Sequence, residues 1–362
     1  MMNNINRILP YGRPLSRAFA FLLLLIVLAG CQPSADPQPT RLQGQIFGTF
    51  WLVTLPETLS DQEAARLDQG IRETLQRVDQ QMSTYRADSE LMQLNQHPVG
   101  EWLAVSDALF YVLEQGQQIA QISGGAFDMT VGGLVNLWSF GPEARPEEIP
   151  DAELLEARLA EAGYQQLELD AATQRVRRLS DHFVDLSGIA KGFGVDEVSR
   201  WLAQQGYSNY LINIGGDLIV AGQRTPERLW TIGVEIPQFD LQQMAQHILP
   251  LSDVSVATSG DYRNYFEADG RRLSHTISPF TGWPINHNLA SVTVLHPENL
   301  FADAWATAIM VLGAEAGLRL AEQQGIEALL ITRQEAGWES QLTSALRARL
   351  GEELSQTIEH QQ

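Results

Sequence analysis

Between residues 167 and 295 the chain runs through a series of short β-forming segments with one helical stretch among them, and this narrows the fold more than any other feature. The segments are Leu167–Leu169, Val176–Leu179, Phe183–Leu186, Tyr210–Ile214, Leu218–Ala221, Trp230–Glu235, Leu249–Ala257, Tyr262–Glu267, Arg272–Ile277 and Ala290–Leu295. Gly, Asn, Asp and Pro punctuate the gaps between them and mark turns in antiparallel meanders. Helical periodicity frames the series. Ser60-Asp61-Gln62-Glu63 is a capping box, and Leu67, Ile71, Leu75 and Val78 share one face of a helix that runs to about Met82. Further helices are expected at Asp107–Ile122, Asp151–Ala162, Ile189–Gln205, Phe301–Leu312 and Ala316–Gln324. Leu42–Leu55 alternates as one opening strand, Ala328–Ile331 is a closing strand, and residues 351–362 are a polar tail. The expected fold is α+β, with mixed, largely antiparallel sheets and packed helices. There is no GxGxxG after a first strand and no GxxxxGK[ST], so both standard nucleotide-binding fingerprints are missing.

The formal net charge is −20, and residues 1–30 hold Arg7, Arg13 and Arg17 with no acid, so the chain beyond them is more acidic still. Such a surface repels phosphate backbones and excludes nucleic acid as a partner. Those three arginines precede the apolar run Ala18–Ala29, which is too short for a spanning helix and suits a signal-peptide core. The run closes in Leu28-Ala29-Gly30-Cys31, which resembles the bacterial lipobox, and Cys31 is the only cysteine. A lone thiol in an exported protein has no internal disulfide partner, which fits lipidation of Cys31 after cleavage. Residues 32–40 then form a Pro-rich tether. The expectation is a lipid-anchored protein working outside the cytoplasm.

Several stretches carry polar chemistry. Of 24 positively charged side chains, Lys191 is the only lysine, in the run Asp185-Leu-Ser-Gly188-Ile-Ala-Lys191-Gly-Phe-Gly. Lysine serves phosphates as a compact point charge; chance in an arginine-rich composition explains it equally well at this level. Asp303 and Thr307 stand at i and i+4, on one face of a helix. As hard oxygen donors they suit Mg2+, although a helix-terminal acid and a packing threonine read the same way. Polar and small residues at Thr258–Tyr265 follow an apolar strand as a turn suited to cradling an anion. His275 enters a loop marked by Ser278-Pro279 and Thr281-Gly282, where a histidine can move protons or simply sit at the surface. Gly124-Gly125-Ala126-Phe127-Asp128 lets backbone approach a flat ligand on which Phe127 or Tyr85 could stack; two tight turns are the plainer reading. Asn213-Ile214-Gly215-Gly216-Asp217 reads as a hairpin turn.

In order along the chain, FGTFW at 47–51, MSTYRADSELMQLN at 82–95, GGAFDMTVGGLVNLWSFGP at 124–142, DLSGIAKGFGVD at 185–196, INIGGDL at 212–218, SVATSGDYRNYF at 255–266, SHTISPFTGWPINHNLASVTV at 274–294 and ADAWATAIMVLG at 302–313 closely resemble the ApbE family, the FAD:protein FMN transferases. The resemblance covers residues from about 43 to about 335. It divides the chain into a lipoprotein signal peptide (1–30), lipidated Cys31 with its tether (31–41), an ApbE-like flavin transferase domain (42–350) and the polar tail (351–362).

The resemblance implies Mg2+-dependent transfer of the FMN moiety of FAD to a threonine or serine of a target protein through a phosphoester, with release of AMP. It implies metal ligation by Asp303, Thr307 and the carbonyls of Gly188 and Ala306. Lys191 and Asp185 would contact the nucleotide, while Phe47, Tyr85, Ala126, Phe127, Asp128 and Ile277 would line the FAD pocket. His275 would be the base. Phe47 stands where the family usually has methionine, Met129 where proline is common, and Gly188 where alanine is frequent. The implied partners are periplasm-facing flavoprotein subunits of membrane redox complexes, such as the sodium-pumping quinone reductase or its relatives, which favours the inner membrane. Two competing readings use the same residues: an FAD pyrophosphatase giving FMN and AMP, and a non-catalytic FAD-binding lipoprotein.

Overall fold

The strand Leu289–His296 is buried along nearly its whole length, as only a strand covered on both faces can be. It is a central member of an eight-stranded sheet in a computed structural model that describes residues 38–143, 145–235, 245–262, 264–335 and 337–360. The signal peptide and Cys31 lie outside the described residues, as does most of the tether.

The chain opens with β1 (Thr40–Ile46) and β2 (Thr49–Leu55), followed by α1 (Asp61–Met82), α2 (Glu90–Gln96), β3 (Leu103–Ala104), α3 (Asp107–Ile122), α4 (Gly132–Leu137) and α5 (Ala152–Glu161). Next come β4 (Leu167–Asp170), β5 (Arg175–Arg178), α6 (Ala190–Gln204), β6 (Tyr210–Ile214), β7 (Asp217–Ala221), β8 (Trp230–Glu235) and β9 (Ala245–Leu251). The remainder is β10 (Val254–Gly260), β11 (Tyr265–Ala268), β12 (Arg271–Ser274), β13 (Leu289–His296), α7 (Asn299–Gln324), β14 (Glu327–Gln334), β15 (Gly337–Leu342), α8 (Ser344–Leu350) and α9 (Glu352–His360). The main sheet has the order β1-β2-β6-β7-β10-β13-β14-β15 and is antiparallel at every pairing. The fold is α+β, as expected.

Side chains alternate across the sheet, and each face has its own core. Ala257, Val292, Val294, Ala328 and Leu330 face α3 and α7, while Val53, Ile212 and Ile214 face α1 and α6. The opposite face presents Val220, Val254, Val256, Leu329 and Ile331 to the β8–β9 hairpin, α8 and α9. Each of the valine, leucine and isoleucine side chains among them contributes about 1.5–3 kcal/mol on burial. Among the described residues α7 is the one helix long and apolar enough to cross a membrane; most of it is buried inside the protein, as befits a core helix.

The starts of α1, α3 and α5 were legible, whereas α2 and α4 were not expected from the sequence. Ser60 accepts from the Glu63 N–H, Ser106 caps α3, and Asp151 caps α5. Gly313 leaves helical geometry within α7, which accounts for the two helices expected there. The main differences are breaks that alternation conceals. Leu42–Leu55 is a hairpin, because Phe47 (φ 51) and Gly48 (φ 71) form a two-residue turn of I′ type. Leu249–Ala257 is two strands in different sheets, parted at Asp253 (φ 51). Phe183–Leu186 is not a strand; Phe183 makes a single bridge to Val131. The hairpin expected across Tyr262–Ile277 is shorter, β11 with β12. Residues 352–360 of the polar tail are helical and bury Ile358 in the core beyond β14 and β15.

Candidate active site

A cleft of about 430 Å³ opens where α6 begins, beside β7, β10, the first turns of α7 and the loop after β12. Lys191 lies in the first turn of α6, which has no side-chain cap, so the positive end of the helix dipole adds to its charge. Its ammonium binds the carboxylate of Asp217 and lies 3.5 Å from Asp303 Oδ2. Burial works against the charged lysine, but the two carboxylates more than offset it and hold the ammonium above its ordinary range. Asp217 is buried at the exit of the β6–β7 turn, opposite Ile214, where Asn213 Oδ1 accepts the Gly216 N–H at 2.9 Å. Sequence reading took this turn as a plain hairpin and missed Asp217. The signal was present: a buried ammonium needs a counter-charge.

Asp303 is buried on α7 and accepts the Gly192 N–H at 3.2 Å. Burial, reinforced by the charge of Asp217, pushes its carboxyl up to about 7 despite the pull of Lys191. One helical turn on, Thr307 Oγ1 stands 3.4 Å from Ser259 Oγ. Gly188 lies against Thr307, since a Cβ added there would fall 3.1 Å from Thr307 Oγ1. Ala306, between them on α7, has its side chain fully buried in the core. The donor set is therefore a carboxylate, two hydroxyls and nearby backbone. Among the described residues no three His, Cys, Asp or Glu side chains cluster as a metal cage. Such a sparse set of hard oxygens suits a small divalent cation that completes its shell with water and ligand phosphates. The elevated Asp303 carboxyl marks a place where added positive charge would be favourable.

Among the described residues that line the cleft Lys191 is the only lysine or arginine, whereas Asp128, Asp185, Glu235 and Asp303 all line it. Asp128 is a structural acid. Its Oδ1 accepts from Thr130 N (2.8 Å) and Thr130 Oγ1 (2.7 Å), and burial raises its pKa. This fixes the Ala126-Phe127-Asp128 run along the wall. Asp185, also raised by burial, is held by Ser187 N at 2.7 Å and by its own N–H to Met129 O. Thr258–Gly260 is not a turn; it continues β10 along the floor.

His275 lines the same cleft as Lys191, and its Nδ1 is 3.0 Å from the carbonyl of Asn264. A carbonyl only accepts, so Nδ1 carries the proton and the neutral ring keeps its lone pair on Nε2. Burial, then the charge of Lys191, lowers its pKa and favours that neutral form. Ile277 lines the same wall and belongs to a small core with Trp138 and Phe266; Trp138 Nε1 donates to Gly282 O at 2.7 Å and ties down the loop.

Two expected contacts lie outside the lining. Tyr85 is 72% exposed near Asp185, whose charge, after burial, raises its pKa. Phe47 turns its ring onto α6: a Cβ on Gly194 would fall 3.0 Å from it. The I′ turn directs Phe47 there, and it packs between two cores instead of lining the cleft.

The ApbE family profile matches residues 47–330. The FAD:protein FMN transferase of Vibrio cholerae is 41% identical over 326 residues, which is 90% of this chain and 96% of that protein. The enzyme of the same name from Escherichia coli K12 is 37% identical over 87% of this chain and 92% of its own length. Among solved structures, the flavin transferase ApbE from Vibrio cholerae superposes with a TM-score of 0.78 at 38% identity, covering 86% of this chain and 99% of that one. The apo flavinyl transferase ApbE of Pseudomonas stutzeri gives 0.79 at 36% identity, over 89% and 99%.

Proposed function

The chain belongs to the ApbE family, and from that premise we propose that it transfers the FMN moiety of FAD to a threonine or serine hydroxyl of a target flavoprotein, through a phosphoester bond and with release of AMP. The observation that carries this reading is that one cleft holds both Lys191, backed by two buried carboxylates, and a histidine whose Nε2 is left to accept a proton.

Lys191 neutralises the pyrophosphate of FAD. Ala126, Phe127, Asp128 and Ile277 line the flavin pocket and Asp185 hydrogen-bonds the nucleotide, while Tyr85, outside the lining but within reach of the charge of Asp185, is free to close on the flavin. Phe47 is left out of the contacts. The residues that would hold Mg2+ are Asp303 and Thr307, with the carbonyls of Gly188 and Ala306; when bound, the ion supplies positive charge against the pyrophosphate oxygens. The acceptor hydroxyl gives its proton to His275 Nε2 as its oxygen bonds to the FMN phosphorus. The pyrophosphate P–O bond breaks, and AMP leaves with the bridging oxygen. Positioning and charge neutralisation dominate such a phosphoryl transfer.

The products test this reading. Transfer releases AMP in step with acceptor consumed and leaves no free FMN. Equal AMP and FMN without acceptor would mean hydrolysis, and intact FAD in every condition would mean a carrier.

The Leu28-Ala29-Gly30-Cys31 run supports a lipid anchor at Cys31, with the enzyme facing the periplasm, at the inner membrane where flavoprotein subunits of redox complexes such as the sodium-pumping quinone reductase type lie. Cys31→Ser should release active protein from the membrane fraction; retention there would contradict the anchor.

A further inference from the structure

We infer that Asp196 is a positioning residue for this reaction: it holds the helix that carries Asp303 against the helix that carries Lys191. The inference rests on the roles proposed above for those two residues. Asp196 is buried on α6, five residues beyond Lys191, and its carboxylate spans two donors. Oδ1 accepts from Asn299 N at 2.7 Å and Oδ2 from Leu300 N at 2.8 Å. These are the first two N–H groups of α7, whose own N-cap residue, Glu298, makes no capping bond. A cap needed only for helix stability can come from the helix's own N-cap residue. Here it comes from the neighbouring helix, so capping α7 also ties it to α6.

The same point gathers the third charged group. Asn299 Nδ2 donates to Leu218 O (2.7 Å) and Val256 O (3.2 Å). Leu218 follows Asp217 on β7, and Val256 precedes Ser259 on β10. Lys191, Asp217 and Asp303 thus sit on three elements joined at one buried hub, and Asp303 is about 6 Å along the helix axis from Asn299. Gly192 shows how close the helices run: a Cβ there would fall 2.4 Å from Asn299 O. A carboxylate is the side chain that suits the hub. Asparagine would offer one oxygen and set an NH₂ against the second N–H.

The experiment compares the purified full chain with Asp196→Asn, with Asp196→Asn carrying Glu298→Asp as well, and with Asn299→Ala. In Asp196→Asn, kcat should fall by about tenfold to a hundredfold, because small misplacements of reacting groups cost that much, while KM for FAD stays within about threefold. The Mg2+-induced rise in Tm of flavin-free protein should shrink in parallel. Glu298→Asp supplies a local cap and should restore Tm without restoring kcat, since it does not rejoin the helices. Recovery of both would make Asp196 a cap only and overturn the inference, as would an unchanged kcat in Asp196→Asn. If Asp196→Asn does not fold, Asn299→Ala decides: lower kcat with little change in KM supports the hub, and unchanged kcat overturns it. Wild-type protein run alongside tests the underlying reading, because absence of FMN transfer there removes that reading first.

Discussion

The two faces of the main sheet are built differently. Toward β8–β9, α8 and α9 the packing is largely apolar: Val220, Trp230, Val254, Val256, Leu329, Ile331 and Ile358 close on one another, around one neutral polar pair, His247 with Ser340. Toward α6 and α7 the same strands meet buried Asp196, Asp217, Asn299 and Asp303, with Lys191 beside them. Burying charge is expensive even when it is paired. One face therefore supplies stability, and the other spends part of it on a preorganised charged centre.

The largest effect that separates the faces should come from Asp303→Ala. Loss of the carboxylate proposed to hold Mg2+ should lower kcat on the order of 10³-fold. Tm of the metal-free protein should hold or rise, because a carboxyl displaced to about 7 is held there at a cost. Full activity, or a large fall in Tm, would contradict the division. His275→Ala should lower transfer by about 10²–10⁴-fold, the usual share of a general base, with FAD affinity retained; normal transfer would remove it from the mechanism. Leu329→Ala, on the aliphatic face, should do the reverse. It should destabilise by about 2–5 kcal/mol and leave kcat unchanged below the melting transition, and a kcat loss there would show that the faces are coupled.

The smallest effect is one of pH. Burial raises the carboxyl of Asp196 to about 7 from an ordinary 3.8, so between these values the folded state keeps a proton that the unfolded state releases. Burial thus makes the carboxylate form that caps α7 costly, and its two N–H donors offset that only in part: the stabilising effect of the proton is complete below about pH 4 and is lost as pH rises through about 7, where the capping carboxylate takes over. Denaturant unfolding of metal-free protein from pH 5 to 8 should therefore show a shallower decline in Asp196→Asn than in wild type, and parallel slopes would exclude it as a contributor.

What the sequence revealed follows the same division. Elements were legible where local chemistry decides them, as in the capping box at Ser60 and the helix starts near Asp107 and Asp151. The residues of the charged centre were legible where a motif or an unusual residue marked them: Lys191 as the lone lysine, Asp303 and Thr307 by helical spacing, His275 at a strand end. Asp217 and Asp196 were not legible, because their roles come from partners 26 and 103 residues away in the chain. The hairpin break at Phe47 was hidden for a local reason. Phe-Gly lacks the Asn-Gly or Asp-Gly signature of an I′ turn, and alternation runs straight through it. That turn also explains why Phe47 packs on Gly194 and does not line the cleft.

The most direct test of the charged centre is the intact mass of a flavoprotein subunit after incubation with this protein, FAD and Mg2+. A gain equal to one FMN phosphoester, matched by AMP and abolished by a chelator or by Asp303→Ala, is the predicted result. An unmodified subunit that a relative from the same family does flavinylate under identical conditions would contradict the account.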